Sequence, residues 1–342
     1  IKLKYYLITH FMIIEYIWLD GIGNFRSKVK VTDKLIKSVD DVPLWNYDGS
    51  STYQSESKDS EIILRPILLT KNPFFGETNA SFVLCETMTN NGDPIDTRRD
   101  ALNLFNKHLE LKPKFGIEQE FFLINPETNK PIGFPEVGLP EEQGKYYCSV
   151  GYDRCFKRNF LDEALEILLE IGVPLTGYNM EVCPGQMELQ VCADGILAAD
   201  YLMLTRYVLN RLGEKHKVLI EFGSKPVKGD WNGSGCHVNF STTETMKHNN
   251  YEIILEYIEK LKLNHKKHIE IYGNDNSERL TGKHETSDMN TFTYGVGNRN
   301  VSIRIPNETF KNQCGYIEDR RPSSSCDPYL VTGQIFETCC LN

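Results

Sequence analysis

The chain contains 342 residues, 40% of them hydrophobic and 25% charged, and its formal net charge is -9. This length exceeds the roughly 100 to 200 residues of a typical domain, so we expect two domains, and the ordinary composition excludes collagen-like, low-complexity and disordered classes. The acidic balance argues against a surface for nucleic acid or an anionic membrane, because both would need clustered lysine and arginine.

Ten cysteines are scattered along the chain without a CxxC pair, which predicts free thiols in a cytoplasmic protein instead of a disulfide framework or a zinc ribbon. The apolar stretch 5–19 is interrupted by His10 and Glu15. No cleavage pattern follows it, so we reject a signal peptide and a membrane span. Residues 1–11 precede Met12 and are interpreted as an upstream or added extension.

The first domain, residues 12–95, is predicted to be rich in β-structure. Residues 13–20 and 25–32 are two β-prone runs separated by the glycines of GIG, which predicts a hairpin. Further strands are expected at 61–69 and 82–88. Between the hairpin and these strands lies the polar segment WNYDGSSTYQSES, which we interpret as a loop too long for a simple turn and therefore as a functional or mobile segment.

The second domain is predicted to span residues 96–342, because helical spacing over 97–109 follows a turn at 92–94. It mixes both element types and contains no internal repeat. Strands are expected at 114–123, 188–192, 237–241 and 301–306, and helices at 158–171, 195–222 and 251–263.

Two carboxylates in the second domain form the first candidate site. Glu118 and Glu120 lie two residues apart in the strand-like run FGIEQEFF, so both point to the same side of the strand. Like charges side by side need a nearby cation, although an exposed polar face with lysine partners is the alternative. The flanking apolar residues indicate burial and therefore favour a bound metal ion.

Four more potential ligands follow along the chain. Glu181 and Glu188 flank a Pro-Gly turn in NMEVCPGQMELQ, and buried carboxylates are costly unless they are neutralised. His237 follows a glycine-rich turn in GSGCHVNFS, and Glu318 precedes two arginines in GYIEDRRP. Several carboxylates with one imidazole suit Mg²⁺ or Mn²⁺ better than structural Zn²⁺. Considered without the carboxylates, a histidine such as His237 is more often a hydrogen-bonded core residue than a metal ligand.

Arginines accompany these carboxylates, and they are Arg279, Arg299, Arg304, Arg320 and Arg321. The apolar residues of NVSIRIP alternate, which projects Arg304 to the opposite face of a strand. Structural salt bridges explain any one arginine but not the set. Arginines beside carboxylates and metal ions suit phosphoryl transfer, because the charge of the moving group must be neutralised from several directions. No GxxxxGK[ST] or GxGxxG motif is present, which disfavours P-loop and Rossmann nucleotide sites.

Eight segments match the signature segments of one family in the family's order: YIWLDGIG, WNYDGSST, GIEQE, YYCSVG, GDWNGSGCHVNFST, RLTGKHETS, NRNVSIRIP and GYIEDRRPSSSCDPY. From about residue 13 to residue 342 the chain resembles the eukaryotic-type (class II) glutamine synthetases. The resemblance implies an α+β fold, with a β-grasp amino-terminal domain carrying an ammonium-site loop. It also implies a larger catalytic domain whose antiparallel half-barrel sheet is flanked by helices.

The activity implied by the resemblance is ATP-dependent ligation of ammonia to L-glutamate, giving L-glutamine, ADP and phosphate through γ-glutamyl phosphate. The implied cofactors are two or three Mg²⁺ or Mn²⁺ ions per site, with ATP as co-substrate. The implied assembly is a cytoplasmic homo-oligomer, a decamer of two pentameric rings, without nucleic-acid or membrane partners.

The resemblance also assigns roles to individual positions. The implied metal ligands are Glu120, Glu181 and Glu188 beside glutamate, and Glu118, His237 and Glu318 beside the ATP phosphates. The implied nucleotide-binding positions are Asn239, Phe240, Ser241, Arg304, Tyr316 and Glu318. The implied glutamate-binding positions are Trp231, Gly233, His237, Arg299 and Arg320. The implied catalytic positions are Asp48 and Ser51 of the ammonium loop, which reaches a neighbouring subunit in this family, together with Arg279, Arg304 and the flap carboxylate Glu285.

Three other functions are compatible with parts of the pattern. A ligase that joins glutamate to another amine is disfavoured by the intact WNYDGSST loop with its anionic Asp48. A non-catalytic structural homologue is disfavoured because all six candidate metal ligands are present. A plain metal-binding protein does not explain the arginines.

Overall fold

The structure is a computed structural model that describes residues 11–76, 78–140 and 142–341. The extension that we assigned to residues 1–11 lies outside the described residues, apart from Phe11. All ten cysteines are free thiols, as predicted. Within the described ranges, no helix has both the length and the apolar character that a membrane crossing requires.

The chain divides into two compact units. The smaller unit comprises the chain up to Arg99 together with Ile167–Val173, and the larger unit comprises Asp100–Glu166 and the chain from Pro174 onward. Each unit has a sheet of its own.

The smaller unit is built on five strands: β1 (Met12–Leu19), β2 (Phe25–Thr32), β3 (Trp45–Asp48), β4 (Glu61–Lys71) and β5 (Ala80–Met88). Their order in the sheet is β2-β1-β5-β4-β3, and only β1 and β5 run parallel. The predicted hairpin is confirmed by the antiparallel pairing of β1 with β2. Ile14, Tyr16 and Trp18 alternate along β1 and form the core with Val83.

The polar segment that we interpreted as a loop begins with a strand, so that interpretation was wrong for Trp45–Asp48. The strand forms because Trp45 packs edge-on against Tyr16, with ring centroids 5.3 Å apart, and Tyr47 lies against Trp18 at 4.5 Å. The alternation of the two aromatic residues was the available signal.

The larger unit contains nine strands in its sheet: β6 (Lys114–Asn125), β7 (Lys130–Pro131), β8 (Leu175–Met180), β9 (Gln186–Asp194), β10 (Leu219–Glu221), β11 (Cys236–Ser241), β12 (Tyr294–Val296), β13 (Ile303–Ile305) and β14 (Ile317–Asp319). The main order is β12-β13-β14-β11-β6-β9-β8, and β7 and β10 also pair with β6. The sheet curls into a half-barrel. It is antiparallel except for the edge pair β12–β13, which runs parallel.

Seven α-helices occur among the described residues: α1 (Arg98–Phe105), α2 (Arg158–Glu170), α3 (Ile196–His216), α4 (Tyr251–Leu263), α5 (His265–Ile271), α6 (Asn307–Asn312) and α7 (Pro328–Phe336). α3 packs on β6 and β9. Gln119 of β6 faces this helix, because its Oε1 accepts a hydrogen bond from Nε of Arg206 at 2.8 Å. Strand alternation therefore turns Glu118 and Glu120 to the other face of the sheet.

Three predicted elements are longer in the sequence analysis than in the structure. The helix expected over 195–222 ends at His216, because Lys217 adopts a left-handed φ of 54° and the chain then enters β10. The helix expected over 97–109 ends at Phe105. The strand expected over 301–306 is limited to Ile303–Ile305.

Candidate active site

Strand register brings candidate ligands together on one face of the larger sheet. Glu118 of β6 lies opposite His237 of β11. Two residues along β6, Glu120 lies opposite Glu188 of β9. Because directly paired residues project to the same face, these four side chains share one surface.

The neighbouring strands extend this surface. Glu318 of β14 is paired with Arg304 of β13 on one side and with Asn239 of β11 on the other. The Asn239 amide Nδ2 donates to Oε1 of Glu118 at 2.8 Å. Residues far apart in the sequence therefore form one continuous polar row across four strands.

Except for Asn239, these side chains line a cavity of about 180 Å³ whose lining residues all belong to the larger unit. The lining positions that the sequence analysis named are Glu118, Glu120, Glu181, Glu188, Gly233, His237, Arg279, Glu285, Arg299, Arg304, Glu318 and Arg320. The lining positions that it missed are Tyr147, Asn179, Gln186, Gln190, Asn232, His284 and Thr286. On β9 a signal was available, because Gln186 and Gln190 stand two residues either side of Glu188.

The first group able to hold a metal ion consists of Glu118, His237 and Glu318. Nδ1 of His237 lies 3.5 Å from Oε2 of Glu118 and 3.8 Å from Oε1 of Glu318, and one ligand atom from each residue lies within 4.8 Å of the others. Burial and the Arg320 charge lower the pKa of His237 to about 3, so the ring is neutral. Two carboxylates and a neutral imidazole fit Mg²⁺ or Mn²⁺.

The second group consists of Glu120, Glu181 and Glu188. Burial, followed by the charges of the other two carboxylates, raises the pKa of Glu181 well above its usual range. Burial and the nearby Glu118 charge raise the pKa of Glu188 to about 8. Carboxylates that resist ionisation without a cation fit a divalent metal ion, whose charge would return them to the ionised form.

We expect Glu188→Gln to stabilise the metal-free protein at pH 8 but not at pH 5. With a pKa raised in the folded state, Glu188 binds a proton that the unfolded chain releases, so stability falls as the pH rises toward about 8. Glutamine removes this penalty, which should raise Tm by about 2–4 °C at pH 8 for each 1 kcal/mol regained. Calorimetry after EDTA treatment measures the difference. Equal Tm gains at both pH values would contradict the prediction.

Arginines balance the carboxylates at one end of the cavity. Nη1 of Arg320 donates to Oε1 of Glu318 at 2.6 Å, and Nη1 of Arg304 donates to Oε2 at 3.0 Å. Nε of Arg304 is buried and has no hydrogen-bond partner among the described residues. Nη1 of Arg299 lies 3.2 Å from Oε2 of Glu285. The two arginines on Glu318 converge on a single carboxylate, so their charge is only partly compensated there.

Arg279 belongs to the wall of the cavity. Its Nη2 contacts Nε2 of His237 at 3.0 Å and donates to the carbonyl of Arg320 at 2.9 Å. Burial lowers its pKa to about 10, so the guanidinium remains charged at neutral pH. The His237 ring is therefore hydrogen-bonded within the core and also turned toward two carboxylates. The sequence left open whether His237 is a core histidine or a metal ligand, and its position in the structure is compatible with both roles.

Several candidate positions are not part of the cavity lining. The Phe240 ring stacks on Phe115 in the core, with ring centroids 5.1 Å apart. Trp231 is buried against Phe134, with ring centroids 5.9 Å apart. The other nucleotide-binding candidates outside the lining are Asn239, which contacts Glu118; Ser241, which is buried; and Tyr316, which is half exposed.

Asp48 and Ser51 belong to the smaller unit, at the junction of β3 and the 3₁₀ turn Gly49–Thr52. The Asp48 carboxylate accepts hydrogen bonds from the Ser50 and Ser51 hydroxyls at 2.7 and 2.9 Å. These bonds, that of Ser50 first, lower the pKa of Asp48 to about 2. Asp48 therefore presents a permanent, exposed negative charge at neutral pH.

Comparison of the chain with known proteins identifies the family to which it belongs. The model of the glutamine synthetase catalytic domain matches residues 91–339. The chain belongs to the glutamine synthetase family. It is 45% identical to the cytosolic isozyme 1-1 of Oryza sativa subsp. japonica, over 96% of this chain and 94% of that protein. It is 43% identical to a putative glutamine synthetase of Acanthamoeba polyphaga mimivirus, with the same two coverages.

The fold is also that of the family. The structure superposes on a Plasmodium falciparum glutamine synthetase determined by cryo-electron microscopy with a TM-score of 0.76 and 17% identity, covering 99% of this chain and 74% of that chain. The predicted fold class and the eukaryotic-type resemblance are confirmed. As a family member, the chain is a glutamate-ammonia ligase that makes glutamine from glutamate and ammonia.

Proposed function

We propose that this ligase activates glutamate with ATP, forming γ-glutamyl phosphate and ADP before ammonia displaces phosphate. The observation that carries the proposal is a single cavity in which six glutamates, two histidines and four arginines meet. A carboxylate resists attack by an amine until one of its oxygens becomes a good leaving group, and phosphorylation provides that group. Transfer of a phosphoryl group needs charge stabilisation from several directions, which this residue set offers.

We assign the two groups of ligands to two divalent cations, Mg²⁺ or Mn²⁺. Glu118, His237 and Glu318 would hold one, and the second group, around Glu188, would hold the other; a third ion is compatible with the same carboxylates. When bound, the ions neutralise phosphate charge and make phosphorus more electrophilic. ATP is the co-substrate.

The arginines and neighbouring groups bind and orient the substrates. Arg299 and Arg320 would hold glutamate, with Gly233, Trp231 and His237 around it. The proposed nucleotide contacts are Arg304, Glu318, Asn239, Ser241, Tyr316 and the backbone of Phe240. Arg304 and Arg279 supply positive charge for the transferred phosphoryl group, the first directly and the second through the cavity wall. Glu285, which lines the cavity, would keep water from the acyl phosphate.

Asp48 and Ser51 are proposed to select ammonium, because a permanent carboxylate charge attracts a small cation and can take its proton as ammonia forms. In the proposed organisation, residues 12–95 form the domain carrying this loop and residues 96–342 the catalytic domain. We also propose that the loop serves a neighbouring subunit in a homo-oligomer, a decamer of two pentameric rings. Relatives named as cytosolic isozymes support a cytoplasmic location.

One assay tests the proposed reaction. Purified protein given glutamate, ATP, Mg²⁺ and ammonium should form glutamine and phosphate in equal amounts, and phosphate release should require glutamate. Ammonium should support the reaction better than methylamine or a polyamine, because the Asp48 loop is expected to accept a small cation. Synthesis only with a bulkier amine would overturn the ammonia assignment, and glutamine formation without ATP cleavage would overturn the acyl-phosphate route.

A further inference from the structure

A strained segment borders the cavity. His284 and Glu285 are consecutive non-glycine residues with φ values of 54° and 59°, and Gly282, two residues before His284, has a φ of 76°. The left-handed region is unfavourable for residues with a Cβ atom, and a pair of such residues persists only where other contacts hold it. Because both side chains line the cavity, the contacts that hold this backbone also decide what the cavity presents to a substrate.

The His284 ring makes two of those contacts. Its Nδ1 lies 3.1 Å from Nε2 of Gln143, and its Nε2 lies 2.9 Å from Oδ1 of Asp230. Oε1 of Gln143 accepts the backbone N–H of Asn232 at 2.8 Å, which orients the Gln143 amide with its NH₂ group toward the ring. Nδ1 is then the acceptor and Nε2–H donates to Asp230. The ring therefore ties its own segment to two other segments, one of which carries the cavity residue Asn232.

The contacts of the next residue are weaker. The Glu285 carbonyl accepts a hydrogen bond from Nη2 of Arg320 at 3.2 Å. Its carboxylate pairs with Arg299, but these two side chains are 44% and 43% exposed. Ion pairs this exposed contribute little to stability. The same applies to the contact of His284 with Asp230, whose side chain is 95% exposed, so the firmer contact of the His284 ring is the one with Gln143. Glu285 therefore lies between two residues that hold the segment: Thr286, whose buried hydroxyl donates to the Lys283 carbonyl at 2.8 Å, and His284, whose ring contacts two other segments.

We propose that His284 is a positioning residue that latches residues 282–285 against the cavity and thereby keeps Glu285 where it excludes water. The inference rests on the proposed function, since it concerns the γ-glutamyl phosphate. When the latch is lost, water attacks the acyl carbon, phosphate leaves, and glutamate is regenerated with the water oxygen in its carboxylate. The result is ATP hydrolysis without glutamine.

The test is the ratio of glutamate-dependent phosphate release to glutamine formation at saturating ammonium. The wild type should give a ratio near one. His284→Ala should raise the ratio about fivefold to tenfold, which corresponds to losing two hydrogen bonds that hold the closed segment. The kcat for glutamine should fall while the KM for ATP changes little. Lys283→Ala, on an exposed neighbour in the same segment, should behave as the wild type.

Two further variants separate the ring from the backbone. His284→Asn keeps an acceptor near the Nδ1 position and tolerates a left-handed φ. Its ratio of phosphate release to glutamine formation should therefore be close to that of the wild type. His284→Gly relieves the backbone strain but has no ring. Its ratio of phosphate release to glutamine formation should therefore be raised as in His284→Ala. A ratio near one for both His284→Ala and His284→Gly would contradict the positioning role of His284 while leaving the proposed reaction intact. A wild type that releases no glutamate-dependent phosphate would instead overturn the proposed function.

Discussion

Replacing Glu120 with alanine is expected to lower glutamine formation by about 100-fold or more while the protein remains folded. Glu120 lies opposite Glu188 across β6 and β9, and its Oε2 already accepts hydrogen bonds from Gln186 and the Gly235 N–H, both at 2.9 Å. Removing it would take away a proposed metal ligand and leave two donors without their acceptor. Glutamine formation at saturating substrate measures the loss, and circular dichroism checks the fold.

A matched carboxylate tests whether the effect belongs to the site. Glu259 lies on the exposed face of α4 and contacts Lys262 three residues later at 3.0 Å. Glu259→Ala should retain full activity, because neither residue lines the cavity. Activity of Glu120→Ala within tenfold of the wild type would contradict the assignment of Glu120 to a metal ion.

The second large effect is expected on stability, from Asp319→Ala. Asp319 lies on the face of β14 opposite Glu318, Arg321 follows two residues after the end of that strand, and the two residues are 2% and 0% exposed. Asp319 accepts from Nε and Nη2 of Arg321 at 2.9 and 2.6 Å and from the Tyr272 hydroxyl at 2.7 Å. Truncation leaves a buried guanidinium without its counter-ion, which costs about 3–5 kcal/mol. Urea unfolding followed by circular dichroism measures the change.

An exposed ion pair supplies the control for that measurement. Glu244 and Lys247 lie 2.6 Å apart with 38% and 61% exposed side chains. Glu244→Ala should cost no more than about 1 kcal/mol, because solvent screens the pair. An equally small loss for Asp319→Ala would contradict the expectation that the buried Arg321 guanidinium needs this counter-ion.

Much of the fold was accessible from the sequence because local patterns repeat at the period of the element. The β1–β2 hairpin, α2 and α4 were predicted within about one residue. Where tertiary contacts decide the end or the presence of an element, the sequence predicted it less well. α3 stops at His216 because the following residues pair with β6, and β3 forms because its aromatic residues pack on β1.

For the site, the sequence alone determined which residue types were available and, through the period of two in β6, that Glu118 and Glu120 share a face. The signature segments determined the family. Only the tertiary structure decided that β6, β9, β11 and β14 are neighbours, so that carboxylates from distant segments meet in one cavity. It also decided the roles of Gln143 and His284, whose contact spans 141 positions. Periodicity describes one element at a time, whereas pairing across strands depends on the free energy of the whole packed sheet.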